Sequence, residues 1–184
     1  MKQKEELVSI VMPAYNSESF IEESIVSVQN QTYENWELLI VDDYSTDQTI
    51  EIIDQMMEKD SRIFLEKLER NSGAAIARNT AIERAKGSYM AFLDSDDLWK
   101  KDKLSKQVNF MQQSEYVFTS TSFTEIDEDT HEKIRITKSH AKLDYDGVLK
   151  YCPGNSTVMY NVDKLGKFYI PDIKKDMILL CGCK

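Results

Sequence analysis

The chain has 184 residues, 41% hydrophobic and 30% charged, with a formal net charge of -9. That balance fits one globular domain with a sizeable core and excludes a disordered segment. The acidic excess excludes a duplex-DNA binder, which needs a basic face to neutralise phosphates, so no nucleic-acid partner is expected.

The opening "MKQKEELVSIVMPAYN" places only about six apolar residues between its charged start and Pro13, too few for a secretory leader. No run approaches the roughly 20 apolar residues of a membrane-spanning helix. The expectation is a cytoplasmic protein, with any membrane association peripheral, at the inner face.

"LVSIVM" at 7–12 is a short apolar run with β-branched content, the pattern of a buried strand. Residues 19–29 follow with Ile21, Ile25 and Val28 on one helical face, and Ser19 with Glu22 has the spacing of a capping box. "ELLIVD" (37–42) predicts the second strand, and 47–57 a helix with Ile50, Ile53 and Met57 inward. "RIFLEKL" (62–68) predicts the third strand. The alanine-rich 73–86 predicts a third helix, with Gly87 as its stop. "SYMAFLD" (88–94) predicts the fourth strand.

This β-α-β-α-β-α-β order predicts an α/β fold, a mostly parallel twisted sheet with helices on both faces. Ligands of such sheets bind at the carboxyl ends of the strands. Here those ends carry "PAYN" (13–16), "DDYSTD" (42–47) and "DSDD" (94–97). Asp94, Asp96 and Asp97 would raise one another's pKa unless a cation sat among them, which makes a divalent metal the first hypothesis. Capped turns with solvated acids are the other reading of that stretch taken alone.

Beyond the acids, 98–111 predicts a helix with Leu104, Val108 and Met111 inward, and 115–123 a strand. Residues 124–137 predict a hairpin, 144–151 a short helix and 157–160 a last strand. The three cysteines, Cys152, Cys181 and Cys183, have no second pair or histidine partner and make a poor zinc signal.

Four stretches, "VSIVMPAYN", "QTYENWELLIVDDYSTDQT", "NSGAAIARNTAIERAKGSYMAFLDSDD" and "KL…Q", together resemble the family 2 inverting glycosyltransferases of the GT-A fold. The likeness is dense over 7 to about 110 and looser from "STVMY" to "FYIPDI". It implies a Rossmann-like GT-A sheet, with 1–112 as a donor-binding half and 113–184 as an acceptor-side half of the same, C-terminally short, domain.

The resemblance implies a nucleotide-sugar donor, most often a UDP-sugar, and a saccharide or lipid-linked acceptor. Asp94 and Asp96 become the D-x-D that holds Mn²⁺ or Mg²⁺, with Asp96 the direct ligand. Pro13 and Ala14 offer backbone groups to the nucleotide, Tyr15 stacks on the base, and Asn16 and Ser95 complete the donor turns. Asp43 accepts from the uracil ring N–H. Asp42 is either a donor contact or a structural acid at the strand end. Arg78 is drawn toward the donor or is a solvated surface arginine, and Gly73 lets the backbone approach the ligand. The general base maps to Asp176, with Asp172 second. Where the family commonly has glycine after its paired acids this chain has Tyr44, strained if the position needs positive φ. A non-catalytic nucleotide-sugar-binding module is the alternative, separated by turnover.

Receiver domains also carry an acid pair, but after the first strand. A sugar nucleotidylyltransferase would need a glycine-rich basic loop where "PAYNSES" stands.

Overall fold

The computed structural model describes residues 6–127, 130, 132–142, 146, 147, 150 and 153–171. Strands β1 (Val8–Ala14), β2 (Trp36–Asp42), β3 (Ile63–Lys67) and β4 (Tyr89–Phe92) alternate with helices α1 (Ile21–Gln29), α2 (Thr49–Lys59) and α3 (Ala74–Arg84). Helix α4 (Lys103–Gln113), strand β5 (Phe118–Ser120), the hairpin β6 (Phe123–Ile126) and β7 (Lys133–Thr137), a 3₁₀ turn (Asn155–Thr157), β8 (Val158–Asn161) and a short helix α5 (Val162–Leu165) follow.

The main sheet runs in the order β3-β2-β1-β4-β8-β5, and the hairpin stands apart as a two-stranded sheet. The first four strands are parallel, and β8 is antiparallel to both its neighbours. Every residue of β1 and β2 is buried, because helices cover both faces and erase the alternation seen in a half-exposed strand. One face packs Ile10, Met12, Leu38 and Ile40 under Ile25 of α1, Ile53 of α2 and Leu104 of α4. The other packs Val11, Leu39 and Val41 under Ala77, Ala81 and Ile82 of α3.

Strand order reverses between β1 and β4, the switch point at which open α/β sheets bind ligands. The two strands also part there. Pairing with β4 stops at Val11↔Phe92, whereas pairing with β2 continues to Ala14↔Asp42. Pro13 is tolerated in this central strand because it lies past the end of β4, where no partner asks for its missing N–H.

Several local expectations change. The Ser19/Glu22 capping box does not form: Phe20 is the N-cap without a side-chain bond, and the Ser17 carbonyl turns the chain by accepting from the N–H groups of Phe20 and Ile21. The helix expected from 98 starts at Lys103. Residues 94–102 instead form a strap on α1, where Ser24 Oγ donates to the Ser95 carbonyl, Ser27 Oγ accepts from Trp99 N–H and Gln31 Nε2 donates to the Lys100 carbonyl. The strand expected at 115–123 divides, since Phe118–Ser120 pairs with β8 and Phe123 opens the hairpin.

Gly87 is not the stop of α3, which ends at Arg84 with Ala85 as C-cap in ordinary extended geometry. Its reason is close approach. A Cβ at Gly87 would lie 2.6 Å from the Leu7 carbonyl oxygen, 2.6 Å from Ser9 N and 2.8 Å from Ser9 Oγ. Around it Gly87 N–H donates to Ser9 Oγ (2.8 Å), Ser9 Oγ to Glu37 Oε1 (2.6 Å) and Lys86 N–H to the same oxygen (2.8 Å).

Candidate functional site

The gap opened by the divergence of β1 from β4 is a cleft of ≈ 440 Å³. Its walls include Pro13, Ala14 and Tyr15 from the end of β1, Asp43 from the end of β2, Gly73 and Arg78 around the start of α3, and Asp94, Ser95 and Asp96 from the end of β4. Most donor and metal residues expected from the sequence therefore share one cavity. Asn71 and Ala74 line it too and carried no signal beyond their place beside "SG".

Tyr15 is 49% exposed, so its ring face is available for stacking. Asp43 is buried, with Oδ1 accepting from Ser72 N–H and Oδ2 from Gly73 N–H, both at 2.7 Å. Each carboxylate oxygen has a second lone pair, so this pairing shapes the turn and leaves acceptor capacity toward the cleft. Gly73 has φ of 93° with open space where a Cβ would stand; conformation, more than crowding, requires glycine there. We expect Asp43→Ala to lower the melting temperature through the two orphaned amides and to weaken UDP more than inorganic pyrophosphate. Calorimetry with the two ligands checks it, and equal weakening would leave Asp43 a purely structural acid.

Arg78 belongs to the cleft and is no surface residue: Nη2 donates to Asp94 Oδ1 at 2.6 Å. Its Nε is buried and has no acceptor among the described residues. Asp96 is exposed and has no hydrogen-bond or ion-pair partner among them. Asp97 Oδ2 accepts from Ser156 Oγ. Burial pushes the Asp97 carboxyl above its ordinary pKa and the charges of Asp96 and Asp94 push the same way, against the Ser156 hydrogen bond. Ser156 Oγ also accepts from Asp94 N–H at 3.0 Å. Ser156 opens the loosely similar "STVMY", and only the fold brings it to the acids.

Asn16 and Asp42 do not line the cleft. Asn16, at φ of 46°, accepts from Thr46 N–H (2.9 Å) through Oδ1 and so ties the β1 loop to the β2 loop. Asp42 is fully buried; its Oδ2 accepts from Ser45 N–H at 3.0 Å, and its Oδ1 has no hydrogen-bond partner among the described residues. Tyr44 does adopt positive φ, 70°, so the anticipated strain of a non-glycine residue is present. Asp172 and Asp176, with all three cysteines, lie outside the described residues, as does most of the helix expected at 144–151.

Among the described residues no three acids, histidines or cysteines stand close enough to hold a metal by themselves. The set present fits a dication shared with a substrate, because Mg²⁺-like ions bind through one or two carboxylates plus phosphate oxygens and water. The partnerless Asp96 carboxylate is the observation that supports this fit. Among the described residues no helix is long and apolar enough to cross a membrane.

The TarS protein of S. aureus, solved as residues 1–349 in complex with UDP-GlcNAc, superposes with a TM-score of 0.73 at 26% identity, covering 91% of this chain and 49% of that solved chain. The Bacillus subtilis putative teichuronic acid biosynthesis glycosyltransferase TuaG is 44% identical over 169 residues, 91% of this chain and 67% of its own. The Escherichia coli UDP-Glc:alpha-D-GlcNAc-diphosphoundecaprenol beta-1,3-glucosyltransferase WfaP is 42% identical over 172 residues, 93% and 67% respectively. This chain thus spans about two thirds of these curated relatives and about half of the solved TarS chain. The family model described as Glycosyl transferase family 2 matches residues 9–170, and with that match the chain belongs to glycosyl transferase family 2.

Proposed function

We propose that the chain transfers a sugar from a UDP-sugar to a saccharide or lipid-linked acceptor, with inversion at the anomeric carbon and with Mn²⁺ or Mg²⁺ bound beside the diphosphate. The observation that carries this reading is the convergence of Tyr15, Asp43, Arg78, Asp94 and Asp96 on one cleft at the switch point. TarS has been solved with UDP-GlcNAc, and the name of WfaP states a UDP-Glc donor and a diphosphoundecaprenol-linked acceptor.

In this reading Tyr15 stacks on uracil and Asp43 accepts from its ring N–H, so stacking supplies affinity and the carboxylate supplies base identity. Asp94 and Asp96 hold the cation, which when bound offsets the charge that develops on the departing diphosphate. Arg78 adds a fixed positive charge at the same end of the cleft, and its unused Nε–H is a further donor. The acceptor hydroxyl forms the new C–O bond as the bond to the diphosphate breaks, and Asp176 is assigned its proton. Transfer that survives Asp176→Asn removes that assignment.

A panel of UDP-, GDP- and CMP-sugars, each with and without Mn²⁺ and with a lipid-diphosphate saccharide acceptor, tests the proposal. One UDP-sugar should release UDP fastest and only with metal. A preferred GDP- or CMP-sugar, or turnover indifferent to metal, would overturn it. Metal-linked UDP binding with no turnover on any acceptor or water would leave the non-catalytic binding module.

A further inference from the structure

Lys103 and Gln107, the "KL…Q" of α4, do not line the donor cleft. Yet Lys103 is only 8% exposed, and no carboxylate pairs with it among the described residues. Its Nζ donates to Gln107 Oε1 at 2.6 Å and lies 4.1 Å from the centre of the Trp99 ring. Burial holds its pKa down to about 7, the mark of a charge that folding has to desolvate. A well-packed apolar side chain would avoid that cost, so the ammonium calls for a reason other than stability.

The reason lies one bond further on. With Oε1 turned to the lysine, Gln107 Nε2 donates to the Thr157 carbonyl (3.2 Å) and to Thr119 Oγ1 (3.0 Å). Turning the amide over would set Oε1 against the Thr157 carbonyl and an NH₂ against the ammonium, two like pairings at once. Below a pH of about 7, where Lys103 is an ammonium with donors only, it therefore decides which way the amide points. Trp99, under the same ammonium, donates from Nε1 to the Ser156 carbonyl at 2.8 Å. Two of the three carbonyls of the 3₁₀ turn thereby accept from side chains, the Thr157 carbonyl beside a bond from Thr121 N–H, and the Ser156 hydroxyl of the turn bridges Asp94 N–H and the Asp97 carboxylate.

We propose that Lys103 is a positioning residue for the cation site: through Gln107 and Trp99 it fixes the Asn155–Thr157 turn, and Ser156 of that turn fixes the Asp94–Asp97 loop in its cation-accepting shape. This rests on the donor-site reading above. Outer-shell groups of this kind shift metal affinity by about 10- to 100-fold when removed.

The test uses the full chain with Lys103→Met, Gln107→Glu and, as a reference for the site itself, Asp96→Ala. Two quantities are read: the ratio of UDP dissociation constants without and with Mn²⁺, and the metal-free indole ¹H–¹⁵N resonance of Trp99, identified by its loss in Trp99→Phe. Lys103→Met, which removes a desolvated charge but leaves the buried Gln107 Oε1 without its donor, should stay folded, shift or split the Trp99 signal, and cut the Mn²⁺ ratio by about tenfold while leaving metal-free UDP affinity unchanged. A folded Lys103→Met with an unmoved indole signal and an unmoved ratio would overturn the proposal, as would equal losses with and without metal. Should Lys103→Met fail to fold, Gln107→Glu decides, because it keeps an acceptor for the lysine, now as a carboxylate, and takes the amide donors from Thr157 and Thr119; the same two outcomes apply. A wild-type protein without Mn²⁺ dependence would instead refute the donor-site reading, and the indole signal would still report whether the relay exists.

Discussion

Asp96→Ala should make UDP affinity indifferent to Mn²⁺. In the wild-type protein the metal should tighten UDP by at least about tenfold, or 1.4 kcal/mol, and the variant should bind as the metal-free protein does. The three acids of the loop are not equivalent. Asp94 already spends Oδ1 on Arg78, and Asp97 accepts from Ser156, whereas Asp96 faces the cleft with no partner among the described residues. Removing an exposed side chain with no such partner leaves no orphan behind, so the melting temperature should hold and the change in binding can be read directly. Calorimetry with and without Mn²⁺ gives the answer. If Mn²⁺ still tightens UDP in Asp96→Ala but not in Asp97→Ala, the ligand is the neighbouring acid.

Gly87→Ala should destabilise the fold by about 3–5 kcal/mol, because overpacking and orphaned buried polar groups each cost roughly 1–3 kcal/mol and here they arrive together. Two of the three atoms in the way of a Cβ are main-chain atoms, one in β1 and one in the residue that leads into it, and neither can give way as a side chain does. Moving 86–87 outward instead would pull its amides off Ser9 and Glu37, both buried. In a chain of this length the melting temperature should fall by roughly 10 °C. Gly73→Ala is the informative comparison. It meets no atom within 4 Å but asks alanine to take φ of 93° with ψ of 154°, and should cost about 1–3 kcal/mol of backbone strain alone. A Gly87→Ala protein as stable as Gly73→Ala would mean that the approach to β1 is looser than the structure has it.

These two glycines show where sequence reading reaches and where it stops. The order of strands and helices was legible because each segment carries its own period: Ile21, Ile25 and Val28 repeat as a helix, and "LLIV" can only be an interior strand once helices flank it. From that order the parallel sheet and the meeting of three polar strand ends followed, while the choice of Asp43, Asp94 and Asp96 within those ends came from the family resemblance. Expectations failed where a distant group outbid a local one. Ser19 and Glu22 have capping-box spacing, but the Ser17 carbonyl makes the turn. Residues 98–102 could have extended α4, but Ser27 of α1 and Gln31 just beyond it hold them as a strap. Gly87 stands where helix stops stand, yet its partners are Leu7 and Ser9. Ser156 reaches Asp97 across a chain separation that no local pattern encodes. Asn16 and Asp42 sit in the expected loops, off the cleft lining, and accept from Thr46 and Ser45.

The placement of β8 between β4 and β5 bears on how the chain is made. Strand β5 leaves the ribosome before β8, yet among the described residues its only partner in the sheet is β8. Until Val158–Asn161 emerges, the β-α-β units of the first three crossovers can close on one another by local contacts, while Tyr89–Phe92 presents its outer row of amides and carbonyls to nothing. That edge carries Met90 and Ala91, both buried at the end of folding, and an open apolar edge is a template for a second chain. Synthesis between α4 and β8 is therefore the interval in which a growing chain is most exposed to wrong pairing, and the strand that ends it is the one that leads out of the turn bearing Ser156.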